Sequence, residues 1–550
     1  MRARRTSRPL LALAAAGLAI LAAGVWTLSR APGPDTRETP APQVAPAPAL
    51  GPAPSSVAGS GTWTKNAPTS TSAPVAAPCA GCDVVVVTMC SVRRDHLGPY
   101  SEGESLTPRL DALMKGAYRL DDAWSASPFT LASLTAVLTG RFGSSTGVTG
   151  WDKGLVTDVP TLPEILGIYG YRTGGFTIDA PSGFRPDYGL DRGFQTMTIL
   201  PPPRDTPDGR QLGGAIGPGG ASARPVAAWI AQQDRSTPIF AMFHTRTAHY
   251  PFVLEDDPSD TTGVTHLLWD SGNNGARGKA MPGTAGGTAQ RGVVTIAGQD
   301  PVQAGVQAAG PAGLAMWKQR YRESVARMDA DFGVLADALA ARGRLDKTVL
   351  VVVADHGESL GDHGELLHGD GYFDGVVHVP LLLKIPGREG QPVKALASQV
   401  DLLPTVLELV GARAPAGIDG VSLNPVLDGD KDEVRAMALV EGGVSWHADG
   451  KARGAVITQD WAMLRQDRGC GEGPRAPGSS PSCLFDRKAD PGQDRDVSTT
   501  HADVVADLTG RWDAFRAARG GTTAAEVPLD AAAVKELQRT GYDFTPGTPR

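Results

Sequence analysis

Valine occupies four consecutive positions, Val84–Val87, and a second β-branched run covers Thr348–Val353. Apolar runs without polar alternation mark strands buried on both faces, as in a parallel sheet covered by helices. Pro238–Phe243 reads as a third, shorter strand. Between these runs apolar residues recur at helical spacing in Pro108–Lys115, Leu131–Thr139, Leu162–Tyr169 and Trp317–Arg342. Strands alternating with helices predict an open α/β sheet, in which ligands sit beyond the carboxyl ends of the strands. Cys90 follows the first strand and Asp355-His356 the second, so both face the side where a pocket belongs.

The longest apolar run is a different kind of segment. Leu10–Leu28 is mostly Ala and Leu, with Arg2, Arg4, Arg5 and Arg8 before it and only Arg30 close behind. That asymmetry predicts an export signal or a single membrane anchor over residues 1–30, with the remainder outside the cytoplasm, in a periplasm or cell envelope. Residues 31–78 are almost entirely Ala, Pro, Ser, Thr and Gly, a composition that buries too little apolar surface to order itself, and they read as a spacer. Two stretches of similar composition, 201–223 and 256–313, read as surface insertions, the second with Leu267, Leu268 and Trp269 as its apolar anchor. No internal repeat is present.

Composition narrows the partners. The 550 residues carry 52 basic and 59 acidic side chains, a net charge of −7, which excludes a broad basic surface for nucleic acid. The five cysteines are an odd number. Cys470 and Cys483 bracket a Gly/Pro/Ser-rich loop, where a disulfide is natural in an exported protein. Cys79 and Cys82 are spaced for a small disulfide, with a Cys-x-x-Cys redox motif as the alternative; the latter wants a helix N-terminus, and a strand follows instead. Cys90 is then the unpaired thiol.

Candidate chemistry gathers at three places. Apolar groups at 131, 134, 137 and 138 with Gly140 as a stop put Thr130 at a helix N-terminus, where free N–H groups and the dipole favour an anion. A hydroxyl there can act as a nucleophile toward a phosphoryl or sulfuryl group, although alone it is an ordinary helix cap. Asp355-His356-Gly-Glu-Ser-Leu-Gly-Asp-His363-Gly-Glu-Leu-Leu-His368 holds three of the ten histidines in a loop after a buried strand, the chemistry of a metal and oxyanion site. His244-Thr-Arg246-Thr-Ala-His249-Tyr-Pro places two more histidines and an arginine at the end of the third strand.

These segments together resemble the sulfatase-like branch of the alkaline phosphatase superfamily, which also holds phosphonate and phosphodiester hydrolases and phosphoethanolamine transferases. The resemblance runs in order from about Asp83 to Ser498. It covers Val86–Gly98 as the first strand and metal loop, Thr107–Asp111, Ser127–Gly140 as the nucleophile helix, Gly170–Phe176, Gly189–Phe194 and His244–Pro251. It continues through Ala354–Gly364, the most specific signature, then Val379-Pro-Leu, Gln399–Val406 and Leu484–Gly492. It implies that Thr130 is the nucleophile, that Asp355 and His356 bind a divalent metal, and that His249 and His368 face the substrate oxygens or the leaving group. Arg93 is implied as a further catalytic neighbour, and His244 and His363 as substrate contacts. His368 stands where many relatives have lysine and, when protonated, would stabilise the same negative charge.

Two further departures bear on function. Conversion to formylglycine needs Cys or Ser with Pro two places on and Arg four places on; Thr130-Leu-Ala-Ser-Leu134 has none of these, so no formylglycine is expected. Relatives with an unmodified Thr transfer phosphoryl groups, which moves the expected substrate toward phosphoesters. Cys90 replaces the metal-binding acid after the first strand. A thiolate favours zinc over calcium or magnesium; calcium and manganese stay as alternatives.

The expectation is therefore an α/β catalytic domain over 79–434, its open, mostly parallel sheet sandwiched by helices, with a smaller C-terminal α+β subdomain and tail over 435–550. Its expected activity is metal-dependent hydrolysis or transfer of a phosphate or sulfate ester, borne by a small molecule, glycan or lipid, through a covalent Thr130 intermediate. A catalytically inactive envelope protein is the alternative.

Overall fold

The computed structural model describes residues 77–537 apart from 102, 179–182, 201–218, 253–258, 266–300, 370, 444–452, 467–469, 471–481, 520–523, 530–533 and 535–536. The export segment, nearly all of the spacer, the run 10–28, Leu267, Leu268, Trp269 and most of both insertions lie outside the described residues. Among the described residues no helix is long and apolar enough to cross a membrane.

Eight strands make the central sheet: β1 Asp83–Met89, β2 Tyr118–Trp124, β3 Arg172–Ile178, β4 Thr196–Leu200, β5 Ile239–Thr245, β6 Thr348–Ala354, β7 Leu381–Lys384 and β8 Pro392–Ser398, in the spatial order β8-β2-β7-β6-β1-β5-β3-β4. β1 pairs in parallel with β6 on one side and β5 on the other. Only β7 runs antiparallel, to both β6 and β2. All seven residues of β1, β5 and β6 are buried, which is why their sequences carry continuous apolar runs rather than alternation. Each buried Val contributes about 1.5–3 kcal/mol of transfer free energy.

Alternate residues of β1 enter different cores. Val84 and Val86 pack with helices α2 (Thr130–Thr139), α3 (Leu162–Ile168) and α6 (Leu402–Val410) through Leu134, Leu166 and Leu403. Val85 and Val87 face α1 (Pro108–Leu113), α4 (Arg224–Gln232) and α5 (Gly310–Arg342) through Leu110, Trp229 and Phe332. The sheet is thus sandwiched by helices. α5 begins at Gly310 rather than Trp317, and Pro301–Ala308 is also helical, so the end of the region read as an insertion is helical chain whose Val306 and Ala309 pack with the core. β5 extends through His244 and Thr245, so His244 belongs to the strand rather than to the loop after it.

A second sheet follows, an antiparallel meander of β9 Ala438–Glu441, β10 Gly454–Ile457, β11 Trp461–Arg465 and β12 Ser482–Asp486, covered by α7 Ala502–Arg519 with Trp512 buried. Arg487 ties it to the main sheet by an ion pair with Asp122 and by lying 4.8 Å over the Trp124 ring. Disulfides join Cys79 to Cys82 and Cys470 to Cys483, and Cys90 is a free, buried thiol.

Candidate active site

The carboxyl ends of β1, β5 and β6 lie side by side because the register pairs Thr88 with His244 and with Val353. Two backbone bonds extend that pairing past the strands: Cys90 N–H donates to Thr245 O at 2.9 Å and Asp355 N–H to Met89 O at 3.0 Å. Ser91 then turns the chain with φ 60°. Helix α2 approaches from β2. Gln399 fixes it there, donating through Nε2 to the carbonyls of Ala354 and Asp355 at 2.8 and 2.7 Å while its Oε1 accepts from Ala126 N at 2.9 Å. Ser125 Oγ adds a 2.8 Å bond to Asp355 O. Phe129 precedes α2 in extended conformation, and Thr130 is its first residue, fully buried.

Thr130 Oγ1 lies 3.4 Å from Cys90 Sγ and 3.3 Å from His356 Nε2. His356 Nδ1 sits 2.9 Å from the Gly357 carbonyl. A carbonyl can only accept, so this bond assigns the proton to Nδ1 and leaves Nε2 as a lone pair directed at Thr130. Burial pushes His356 down to about 4, so its ring is neutral near pH 7. Asp355 Oδ1 accepts from His356 N at 2.7 Å and Ser91 N at 3.2 Å, whereas its buried Oδ2 makes no hydrogen bond and lies 3.6 Å from His356 Nε2. Burial alone would raise Asp355, but the neighbouring His356 and His244 and the bond from His356 N outweigh it and hold the carboxyl below its usual range.

Cys90, Asp355 and His356 offer ligand atoms that all lie within 4.8 Å of one another. A sulfur, a carboxylate oxygen and a ring nitrogen form a donor set suited to zinc, and the unpartnered Asp355 Oδ2 is the kind of acceptor that a cation satisfies. Burial, and then the charge of Asp355, push the Cys90 thiol well up, so without a cation it keeps its proton.

Of the histidines, His368 and His249 adjoin this cluster. The His368 ring is 4.2 Å from that of His356 and 5.1 Å from that of His249, centroid to centroid. Its Nδ1 lies 3.1 Å from Glu358, a carboxyl that burial pushes up to about 8. His244 presents Nδ1 to Thr88 Oγ1 at 2.9 Å, while its buried Nε2 makes no hydrogen bond; burial takes it down to about 4.

Two expectations need correction. Arg93 does not reach Thr130: its guanidinium is drawn to Asp95 and Asp362, with the Glu358 carbonyl accepting at 3.1 Å, because those acceptors flank it closely. His363 sits in a turn at φ 53° and stacks on Phe373 at 3.8 Å, so it lies with an aromatic cluster rather than with Thr130. His249 keeps its expected place beside His368, with Nδ1 against the Tyr250 carbonyl and Nε2 against Arg246 Nη2 at 3.1 Å. Arg246, Glu358 and Gln399 were absent from the expected site residues. Arg246 was visible beside two histidines, but its burial was not; Glu358 and Gln399 act through contacts that no local pattern displays.

Comparison with known proteins agrees with this architecture. The sulfatase family model matches residues 83–412. Arylsulfatase A of Bos taurus is 27% identical over 463 residues, covering 72% of this chain and 79% of that protein. The solved phosphonate monoester hydrolase of Agrobacterium radiobacter superposes with a TM-score of 0.57 at 19% identity, covering 82% of this chain and 98% of the other. A structure solved in complex with its substrate D-glucosamine-2-N,6-O-disulfate does so with a TM-score of 0.57 at 19% identity, covering 80% and 98%. With a matching family model across the whole of its main sheet and the same fold in these neighbours, the chain belongs to the sulfatase family.

Proposed function

We propose that this protein hydrolyses or transfers esters of sulfate or phosphate through a covalent intermediate on Thr130. The observation that carries the reading is the Thr130 hydroxyl, buried at a helix N-terminus with Cys90 Sγ at 3.4 Å and the His356 lone pair at 3.3 Å. Relatives bound to sulfated sugar or named for phosphonate esters support the substrate class. An unmodified threonine favours the phosphoester end of that range.

Cys90, Asp355 and His356 would hold one divalent cation, zinc by their donor chemistry, which when bound supplies positive charge that eases ionisation of the nucleophile. Thr130 Oγ gives its proton to solvent or a neighbouring base and bonds to the sulfur or phosphorus, and the bond to the leaving oxygen breaks. His368, oriented by Glu358, is placed to return a proton to that oxygen. Water or an alcohol then attacks the intermediate and restores the Thr130 hydroxyl. The α2 N-terminus stabilises the oxyanion throughout. The test is turnover of aryl phosphate, phosphodiester and aryl sulfate by purified protein with zinc, manganese or calcium. Failure of all of these, or activity that survives Thr130→Ala, defeats the reading.

One observation favours an inactive, binding member of the family instead: Cys90 replaces a carboxylate, and its buried thiol holds its proton unless a cation displaces it. Elemental analysis of the purified protein separates the two, since the inactive reading expects no stoichiometric metal. The two disulfides also support export to an oxidising compartment, with residues 10–28 as signal or anchor. Deleting that segment should remove the protein from the envelope fraction.

A further inference from the structure

We propose that Arg246 is the oxyanion-binding residue of this site, its guanidinium receiving the non-bridging oxygens of the tetrahedral group presented to Thr130, with His249 as its positioning residue. The proposal deepens the reading above and rests on its substrate class.

Arg246 is 3% exposed. Arginines buried to this degree are normally paired. In the same protein Arg342 binds Asp83 and three backbone carbonyls, and Arg435 pairs with Asp401. Among the described residues, no carboxylate lies within ion-pair distance of Arg246. Its Nη2 meets His249 Nε2, and its buried Nη1 makes no hydrogen bond.

His249 explains how the charge stays uncompensated. Its Nδ1 is held by the Tyr250 carbonyl, so the proton sits there and Nε2 can only accept. Burial, and next the charge of Arg246, hold its pKa well below the usual value, so the ring is neutral. A neutral acceptor fixes the plane of the guanidinium without cancelling its charge; a carboxylate in its place would fix it and neutralise it.

The direction of the fork follows from its neighbours. Arg246 follows β5, whose Thr245 carbonyl binds the Cys90 backbone, and its charge is felt by Cys90, His244 and His249. From His249 ring contacts lead to His368 and then to His356, which touches Thr130. Three buried, unpartnered atoms lie on residues joined by these contacts and charges: Asp355 Oδ2, an acceptor; Arg246 Nη1, a donor; and His244 Nε2. The acceptor suits a cation and the donor an anion. The planar, permanently charged fork matches the paired oxygens of a phosphate or sulfate group.

The experiment is calorimetric titration of the purified full-length protein with inorganic phosphate and with sulfate, at fixed ionic strength, using Thr130→Ala as a parent that cannot turn over. Arg246→Gln should weaken the bound anion at least about tenfold, the scale of a hydrogen bond to a charged group, with Arg246→Lys in between. Without the anion, Arg246→Gln should melt no lower than the parent, because it relieves an uncompensated buried charge. Anion affinity equal in Arg246→Gln and parent, no anion binding by the parent, or a lowered midpoint with unchanged affinity would each overturn the proposal; the last describes a structural arginine. Arg246→Lys carries the comparison if Arg246→Gln does not fold. Arg246-dependent anion binding without turnover of any ester would defeat the proposed reaction while leaving this inference standing.

Discussion

The two ends of the same central strands are built in opposite ways. At the amino end of β1, Asp83 is buried and saturated: Arg342 and Arg344 donate to its Oδ2 at 2.9 and 3.0 Å, and Ile239 N to its Oδ1 at 3.0 Å. At the carboxyl end a comparable depth of burial surrounds Asp355 Oδ2, His244 Nε2 and Arg246 Nη1, none of which makes a hydrogen bond. Buried polar groups left without partners are destabilising, so they persist where something other than stability retains them. One end satisfies its buried polar atoms within the sheet; the other leaves several of them without a partner. The loops after β1 and β5 repeat the contrast on a smaller scale, with Arg93 gripped by two carboxylates and Arg246 held by a neutral ring.

The comparison breaks most visibly at the nucleophile. Thr130→Ala should lower turnover by about 1,000-fold or more while the folded state loses only about 1–2 kcal/mol, since a hydroxyl and one buried methyl are removed, a result read from kcat beside a denaturation curve. An equal loss in both would mean that the carboxyl end is structural after all. The amino end should answer the other way. Asp83→Ala strands Arg342 without its counterion and should cost about 3–5 kcal/mol in urea unfolding, with the residual folded protein keeping its kcat.

Cys90→Asp sharpens the site's ionic character. The variant should exchange a zinc preference for calcium or magnesium, read by elemental analysis after dialysis against each metal. Two carboxylates side by side repel, so the midpoint of this variant should fall on adding EDTA by more than that of the parent. The smallest effect is expected at Arg93→Ala, which should lower stability by about 1–2 kcal/mol through its lost hydrogen bonds yet leave kcat within about threefold. A large catalytic loss there would restore Arg93 to the site.

Much of the frame was legible along the chain because it rests on periodicity. The valine run of β1, the apolar run of β6 and the 131, 134, 137, 138 spacing of α2 each report burial directly, and each element appears within a residue or two of its expected place. β7 was not legible as an antiparallel strand, since three leucines before a lysine report burial but carry no direction. Among the candidate site residues, Thr130, Asp355 and His356 stand out in the sequence because each sits at the end of a strongly patterned element. Arg93 was given a site role and Arg246 none for the opposite reason: both follow a strand, and nothing local to either reveals whether a carboxylate from another part of the chain will meet it.

The sequence by itself determined which segments are buried strands and helices and which residue types stand at their ends, because burial and helical phase are written in the spacing of neighbouring residues. It also determined that a thiol and not a carboxylate follows the first strand, and hence which cations the site could prefer. Only the tertiary structure decided which of those polar groups are spent on one another. Asp362 comes to Arg93 from across the chain, and the lone pair of His356 comes to Thr130 from a strand 226 positions away. Whether a charge is neutralised is a property of distance in space, and in this protein that property separates the groups that stabilise the fold from those left to act.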